Sequence, residues 1–155
     1  MFATSAGILL YRLGADSPEV LIAHPGGPFW SRKDEGAWSI VKGLLAEGED
    51  LWTAARREFR EEVGIEVPAG AYVELGTVTQ RGGKIVTAFA VESDLDVSNA
   101  VSNTFEIEWP PKSGLMKSFP EVDRIEWFPL DQARQKLLPS QLPFLDAVEA
   151  IVAAN

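Results

Sequence analysis

The stretch that most constrains this chain covers residues 43–65, where a glycine-containing loop leads into an uninterrupted helical segment. Its interior, residues 50–63, contains no glycine or proline and is rich in Ala, Leu, Arg and Glu, which are strong helix formers. The acidic pair Glu49 and Asp50 stands at its start, and acidic side chains suit the positive end of a helix dipole. We therefore predict a loop that runs into a helix.

One flank of that helix carries three carboxylates. At about 100° per residue, Glu58, Glu61 and Glu62 fall within one arc beside the apolar stripe of the helix. Like charges three or four positions apart destabilise a helix by about a few tenths of a kcal/mol per pair, so a cation should compensate for them. One source is the arginines of the same helix, which are Arg56, Arg57 and Arg60. The other is a cluster of hard divalent cations, which prefer carboxylate oxygens.

Composition restricts the classes of protein to which the chain can belong. Its 155 residues, 46% of them hydrophobic, are sufficient for one packed core, so we predict a single domain over residues 1–155. The net charge of −9 argues against a nucleic-acid-binding surface, which needs clustered Lys and Arg. No apolar run approaches the length of a membrane span, and no basic leader or cysteine indicates secretion. We expect a cytoplasmic monomer or homodimer without a nucleic-acid or membrane partner.

The inventory of reactive side chains excludes several kinds of catalytic site. With one histidine, His24, and no cysteine, the chain cannot form a zinc site of His and Cys ligands or use a cysteine nucleophile. A Ser-His-Asp triad would need His24, which lies in His-Pro-Gly-Gly-Pro, and no nucleophile-elbow motif occurs in the chain. We interpret His24 as a loop or strand-end residue that makes an ordinary hydrogen bond.

Segments with alternating or β-branched residues predict strands, and segments with helical periodicity predict helices. The predicted strands are 4–12, 19–23, 38–42, 71–80, 84–92, 104–109 and 124–128. The predicted helices after residue 65 are 131–138 and 142–153. Residues 24–36 and 112–123 are predicted to be long loops, and residues 81–83 a hairpin turn. Strands before, between and after helices predict an α/β protein with a mixed sheet and helices on both faces.

The spacing within residues 43–65 resembles the signature of a known family. The pattern GX5EX7REUXEEXGU, where U is a bulky apolar residue, is fulfilled at Gly43, Glu49, Arg57, Glu58, Phe59, Glu61, Glu62, Gly64 and Ile65. This pattern is the box of the Nudix hydrolases, and the chain resembles their MutT-like members. The resemblance implies the Nudix-type α/β/α sandwich. It also implies backbone roles for two glycines, Gly43 in a close loop turn and Gly64 at a left-handed helix end.

The resemblance further implies a reaction and a metal. In Nudix hydrolases the box helix carries ligands of Mg²⁺ or Mn²⁺, which makes Glu58, Glu61 and Glu62 the expected metal carboxylates, assisted by the backbone carbonyl of Lys42. The implied function is a divalent-metal-dependent pyrophosphohydrolase, an acid anhydride hydrolase that cleaves the diphosphate linkage of a nucleoside diphosphate derivative. The alternative is a non-catalytic Nudix-fold module that binds or senses a nucleotide.

The resemblance leaves the catalytic base open between two glutamates. Relatives use either a glutamate of the box, for which Glu61 is the candidate here, or a glutamate of a later loop, for which Glu121 in Phe-Pro-Glu is the candidate. Glu106 and Glu108, on one predicted strand, are further candidates. A base is needed because the attacking water must lose a proton as it bonds to phosphorus.

Cationic side chains are expected to have two roles. Arg57 is expected to brace the box carboxylates through an ion pair, with Glu49 as its partner. The expected substrate-binding cations are Lys42, which adjoins the box, and Arg81 and Lys84 at the hairpin turn.

The sequence says least about the substrate. The Trp-x-x-x-Lys-Gly approach at residues 38–43 and the short chain are similar to hydrolases of dinucleoside polyphosphates and nucleoside triphosphates. The proline that follows the box in many ADP-ribose hydrolases has no counterpart in residues 73–81. Large aromatic side chains can stack on a nucleobase. The candidates for such stacking are Trp30, Trp38, Trp109 and Phe119.

Overall fold

Eight strands and three helices follow one another in residues 3–154, the part of the chain that this computed structural model describes. The strands are β1 (Thr4–Leu13), β2 (Pro18–Pro25), β3 (Val41–Leu44), β4 (Tyr72–Thr79), β5 (Ile85–Glu92), β6 (Thr104–Glu108), β7 (Met116–Pro120) and β8 (Val122–Pro129). The helices are α1 (Leu51–Val63), α2 (Leu130–Lys136) and α3 (Leu142–Ala153), with a 3₁₀ turn at Pro139–Gln141. All three predicted helices are confirmed.

Six of the strands form one mixed sheet. Its order is β4-β5-β1-β2-β8, and β3 also pairs with β1. β1 and β5 run parallel, whereas the other pairs are antiparallel. Residues Ser5 to Ile8 of β1 pair with β3, and residues Tyr11 to Leu13 pair with β2. β2 and β3 therefore pair with different parts of the same edge of β1.

Helices cover both faces of this sheet. On one face, α1 buries Ala55, Phe59 and Val63 in a cluster with apolar residues of β1, β2 and β5. On the other face, α3 buries Leu145 and Val148 in a second cluster, to which α2 also contributes. The apolar residues that recur at helical spacing in α1 and α3 thus pack against the sheet, as their spacing predicts. The predicted α/β/α arrangement is confirmed.

Two predicted segments differ from the structure. The long loop predicted for residues 112–123 contains β7, which pairs with β6 in a separate two-stranded sheet. Met116, Lys117 and Ser118 are all exposed, so β7 has no alternation of buried and exposed residues to reveal it. The strand predicted for residues 38–42 begins only at Val41, because Trp38 makes no more than an isolated bridge with Leu137.

Within residues 3–154, no helix combines the length and the hydropathy needed to span a membrane. The single domain over residues 1–155 and the cytoplasmic location stay predictions.

Candidate active site

Helix α1 is fixed at both ends by residues of the stretch 43–65. The Asp50 carboxylate caps its start by accepting a hydrogen bond of 2.7 Å from the Thr53 N–H. Gly64 ends it with φ 79°, and the Gly64 N–H donates to the Arg60 carbonyl at 2.8 Å. A Cβ on Gly64 would also lie 2.5 Å from the Val101 carbonyl oxygen. The left-handed helix end expected at Gly64 is confirmed.

Arg57 connects Glu49, in the loop before α1, to two carboxylates of α1. Its Nε and Nη2 donate to the two oxygens of Glu49, each at 2.9 Å, and Nη2 also donates to the Leu44 carbonyl at 2.9 Å. Its Nη1 donates to Glu58 at 2.9 Å and to Glu61 at 3.2 Å. These hydrogen bonds raise the pKa of Arg57 and lower the pKa of Glu49 to about 2. One guanidinium is therefore shared by three carboxylates.

Gly43 provides the space that the Glu58 carboxylate occupies. A Cβ on Gly43 would lie 2.0 Å from Cδ of Glu58 and 2.1 Å from its Oε2. The prediction that Gly43 lies in a close loop turn is wrong, because it lies within β3 and pairs with Ala6. At this position a side chain larger than that of glycine would displace the Glu58 carboxylate. The Glu58 side chain is only 15% exposed, and burial raises its pKa while Arg57 opposes the increase.

Glu62 is the most perturbed carboxylate of α1. Burial raises its pKa to about 8, and the neighbouring charge of Glu58 adds to the increase. Lys42 acts in the opposite direction on Glu62, while burial lowers the pKa of Lys42 itself. The ion pairs of Arg57 with the other carboxylates do not extend to Glu62. Glu62 is thus the carboxylate that a further cation would stabilise most.

Glu121 is the single residue between β7 and β8, and its backbone is held on both sides. Its N–H donates to the Asn103 carbonyl at 2.9 Å, and its carbonyl accepts from the Gly26 N–H at 3.0 Å. The Asn103 N–H in turn donates to the Glu61 carbonyl at 2.8 Å, at the C-terminal end of α1. The charge of Glu121 is among the smaller causes that raise the pKa values of Glu58 and Glu62. The structure therefore brings Glu121 close to the carboxylates of α1.

These segments meet at a cavity of about 180 Å³. Residues that line it include Ser39, Ile40, Lys42, Glu62 and Glu121. Two carboxylates and one ammonium group, from three separate segments of the chain, thus belong to one concave site.

The two other cations predicted to bind substrate lie at the turn between β4 and β5. Lys84 is near enough to Lys42 for its charge to contribute to the lowered pKa of Lys42. Arg81 is exposed at the same turn. The structure brings Lys84 toward the cavity residue Lys42, and it leaves Arg81 at the periphery.

The aromatic candidates for base stacking differ in accessibility. Trp38 is completely buried, and its Nε1–H donates to the Asp34 carboxylate at 2.8 Å, so the prediction that Trp38 could stack on a base is wrong. Trp30 is 37% exposed, whereas Trp109 and Phe119 are half-buried. Of the four, Trp30 presents the most accessible ring.

The remaining predicted residues lie outside the cavity. Glu106 and Glu108 are exposed on β6, in the two-stranded sheet, and Glu108 accepts a hydrogen bond from the Lys112 N–H at 2.7 Å. His24 is buried at the end of β2, where its Nε2–H donates to the Lys33 carbonyl at 2.6 Å and its Nδ1 is 2.7 Å from Asp123. The interpretation of His24 as a strand-end residue with ordinary hydrogen bonds is confirmed.

The donor set of this site fits a hard divalent cation. Among residues 3–154, no three Asp, Glu, His or Cys side chains already form the arrangement of a metal site. However, Glu58 packs into the space that a Cβ at Gly43 would fill, and burial beside Glu58 raises the pKa of Glu62, so that a bound cation would favour its ionised form. Carboxylate oxygens are donors that Mg²⁺ prefers.

One buried residue beside the cavity was not predicted. Gln141 is 0% exposed and hydrogen-bonds both Ser39 and Ile40, which line the cavity wall. Its partners are 101 and 102 residues away in sequence, so no local pattern reveals the contact.

Comparison with known proteins decides the family. The family profile described as NUDIX domain matches residues 1–148. The chain belongs to the Nudix family. Residues 43–65 are therefore its Nudix box, and α1 is the helix that carries the box glutamates.

The chain is similar in sequence to larger Nudix proteins of Arabidopsis thaliana. It is 27% identical to Nudix hydrolase 7 over 111 residues, which are 68% of this Nudix chain and 38% of that protein. It is 27% identical to Nudix hydrolase 6 over 129 residues, which are 81% of this chain and 39% of that protein. The chain thus spans less than two fifths of the length of these relatives.

Solved structures share the fold of this Nudix chain. The NUDIX domain of Shewanella oneidensis NrtR, complexed with ADP ribose, has a TM-score of 0.65 at 16% identity, covering 98% of this chain and 89% of that one. A Caenorhabditis elegans Ap4A hydrolase in a binary complex has a TM-score of 0.61 at 19% identity, covering 99% of each chain. NrtR complexed with a 27mer DNA has a TM-score of 0.62 at 15% identity, covering 97% of this chain and 62% of that one. At these identities the likeness is one of fold.

Proposed function

We propose that this Nudix protein is a divalent-metal-dependent pyrophosphohydrolase that cleaves the diphosphate linkage of a nucleoside diphosphate derivative. The observation that carries the proposal is the meeting of Glu62, Glu121 and Lys42 at one cavity. Carboxylates are metal ligands and proton acceptors, and an ammonium group attracts phosphate. The proposed substrate is a dinucleoside polyphosphate or a nucleoside triphosphate.

The proposed metal is Mg²⁺ or Mn²⁺, with Glu58, Glu61, Glu62 and the backbone carbonyl of Lys42 as its ligands. When bound, such an ion supplies positive charge to the phosphate oxygens and lowers the pKa of a coordinated water. Arg57 has a positioning role in this proposal. Its hydrogen bonds to Glu58 and Glu61 hold two of the carboxylates in place, and its bonds to Glu49 anchor the arrangement at the start of α1.

The proposed base is Glu121, with Glu61 as the alternative. Glu121 lines the cavity, and two backbone hydrogen bonds fix the position of its Cα. Its carboxylate would accept the proton that the attacking water loses. Glu61 is the alternative because its side chain is 38% exposed and remains accessible while it pairs with Arg57.

The proposed contacts to the phosphate chain come from Lys42, Lys84 and Arg81. Lys42 lines the cavity, and Lys84 lies near it. Arg81 is exposed at the same turn as Lys84, where it would contact the outer part of a long phosphate chain. Lysine serves here as a point charge, which suits a chain of phosphates without a fixed orientation.

Two substrate classes are favoured by different observations. The likeness in fold to the C. elegans Ap4A hydrolase over 99% of the chain supports a dinucleoside polyphosphate. The likeness to the NrtR domain complexed with ADP ribose makes ADP-ribose the competing substrate, although the proline typical of ADP-ribose hydrolases has no counterpart in residues 73–81. The net charge of −9 favours a small metal-bound nucleotide over a nucleic acid.

The test is an activity screen of the purified protein with Mg²⁺. The substrates are nucleoside triphosphates, diadenosine polyphosphates, ADP-ribose and inositol pyrophosphates, each with and without a chelator. We expect chelator-sensitive hydrolysis of one of the first two classes. Glu61→Gln and Glu62→Gln should each lower kcat by orders of magnitude with the fold intact, because the loss falls on transition-state charge stabilisation.

Glu47→Gln is the matched control for that screen, because Glu47 is an exposed acid of the loop before α1. It should keep the wild-type kcat. Wild-type turnover in both box variants would refute the proposal. Mg²⁺-dependent binding of a nucleotide without any product after long incubation would instead favour the non-catalytic module, although a pure binding module has no need of a complete box.

A further inference from the structure

Gln141 lies at the end of the 3₁₀ turn before α3, and its side chain bonds two distant segments of the chain. Its Oε1 accepts a hydrogen bond of 2.9 Å from the Ile40 N–H. Its Nε2 donates to Ser39 Oγ at 3.0 Å and to Gln80 Oε1 at 2.8 Å. The residue is 0% exposed, and both amide hydrogens and the carbonyl oxygen have partners. A buried amide is retained in a core only when it is satisfied in this way.

The bond to Ile40 is made where the chain changes its partner strand. Ser39 exchanges backbone hydrogen bonds with Ala23 of β2, at 2.8 and 2.9 Å. Val41 already pairs with Ile8 of β1. Ile40 lies between the two pairings, and its N–H donates to Gln141 instead of to a strand. Gln141 therefore fixes the point at which the chain enters β3, which carries Lys42.

The bond to Gln80 fixes the turn between β4 and β5. The Gln80 N–H donates to the Lys84 carbonyl at 2.6 Å, and the Gln80 carbonyl accepts from the Gly83 N–H at 3.0 Å. Gln80 thus closes the turn from which Lys84 projects. A single side chain, that of Gln141, is consequently connected to both segments that carry a cation near the cavity.

Holding two cations near one another is unfavourable unless an anion lies between or beside them. Lys42 pairs with Gly7 at one edge of β1, and Lys84 immediately precedes Ile85, which pairs with Thr4 at the other edge of β1. Among residues 3–154, neither lysine forms an ion pair with a carboxylate within 4.0 Å in the way that Arg57 does. Lys42 lines the cavity, and Lys84 belongs to the turn that Gln80 closes, so a chain of phosphates that extends from the cavity to this turn would neutralise both charges.

We propose that Gln141 is a positioning residue that holds Lys42 and Lys84 at a fixed separation to receive the phosphate chain of the substrate. The proposal rests on the proposed function, since it specifies how the same site recognises its substrate. An apolar side chain of similar size would fill the same space. It would, however, leave the Ile40 N–H without a partner and release the turn that carries Lys84.

The test compares Gln141→Met, which keeps the length of the side chain and removes its hydrogen bonds, with Val148→Ala. Val148 is a buried residue of α3 and serves as a control for loss of stability alone. The readouts are the Kd for Mg²⁺-tripolyphosphate by calorimetry, and KM and kcat for the best substrate of the screen. Gln141→Met should raise Kd and KM by about tenfold, or 1.4 kcal/mol of binding energy, with a smaller change in kcat.

The control should keep the wild-type Kd and KM at temperatures where it is folded. Equal Kd values for Gln141→Met and wild type would overturn the proposal. If Gln141→Met does not fold, Gln80→Leu provides the same test, because it removes only the connection to the turn and should also raise Kd. A wild-type protein that binds tripolyphosphate but hydrolyses nothing would refute the proposed function and leave the Kd test decisive for Gln141. A wild-type protein that does not bind tripolyphosphate would overturn the positioning role.

Discussion

The substitution Gly43→Ala tests how the Glu58 carboxylate is placed. The added Cβ would lie 2.0 Å from Cδ of Glu58, whereas ordinary van der Waals contact begins at 3.4 Å. The carboxylate must therefore move by the difference, 1.4 Å. Gly43 is outside the left-handed region, so alanine meets no backbone strain there. Because Glu58 is a flexible side chain, it can move while the strand stays in place.

The expected effects are small on stability and large on activity. The displacement would break the 2.9 Å hydrogen bond from Arg57 to Glu58. A charged hydrogen bond in this half-buried setting contributes about 1 to 2 kcal/mol, which lowers the Tm of a domain of this size by about 2 to 8 °C. A misplacement of about 1 Å in a catalytic constellation lowers the rate by about a hundredfold. We therefore expect a folded protein whose kcat has decreased by about that factor.

A double-mutant cycle with Glu58→Ala tests the cause. If the methyl group acts by displacing the Glu58 carboxylate, then Gly43→Ala should hardly change the Tm of a protein that already lacks that carboxylate. Calorimetric scans of the wild type, both single variants and the double variant measure this coupling. An equal decrease in Tm in both backgrounds would refute the steric explanation, as would a wild-type kcat for Gly43→Ala.

Two further variants separate the proposed roles of the other site residues. Arg57→Lys should lower Tm by about 3 to 8 °C and reduce kcat, because lysine cannot bond Glu49, Glu58 and the Leu44 carbonyl together. The control Arg56→Lys, at an exposed position of the same helix, should change neither Tm nor kcat. Equal effects of the two substitutions would contradict the bracing role of Arg57. Glu121→Gln should lower kcat in steady-state assays while the metal-induced rise in Tm persists, because a base is not required for metal binding; an unchanged kcat would exclude Glu121 as the base and leave Glu61.

The elements that the sequence predicts correctly are those whose formation depends on residues within the element or next to it. Helix α1 starts with a capping acid and ends at a glycine with positive φ, and both signals lie within the helix or next to it. The pairing of Glu49 with Arg57 spans eight residues of one continuous stretch, so the box pattern anticipates it. The alternation in residues 71–80 and 84–92 likewise predicts β4 and β5 to within about two residues.

The features that escaped prediction depend on contacts between distant residues. A glycine is found at position 43 because the side chain of Glu58, fifteen positions later and in another element, occupies the adjacent space. Trp38 is buried because it packs against residues of α2 and α3. Whether Arg81 or Lys84 approaches Lys42 is set by the register of β5 on β1, in which Ile85 pairs with Thr4. Gln141 has partners 61 to 102 residues away, and a lone glutamine before a helix carries no signal of them.

The measurement that most directly tests the central claim, that the carboxylates of α1 hold a divalent cation, is the metal-induced change in Tm. Scans of the wild type and Glu62→Gln would be recorded with a chelator and with about 5 to 10 mM Mg²⁺ or Mn²⁺. Metal at about a hundred times Kd stabilises the folded state by about 2.7 kcal/mol, which raises Tm by about 5 to 11 °C for a domain of this size. Without metal, Glu62→Gln should be as stable as wild type or slightly more stable, because a neutral amide has no cost of ionisation at this buried position beside Glu58.

With metal, the rise in Tm should be clearly smaller for Glu62→Gln than for wild type, and Glu47→Gln should respond as wild type does. An equal metal response in wild type and Glu62→Gln would contradict the assignment of Glu62 as a ligand.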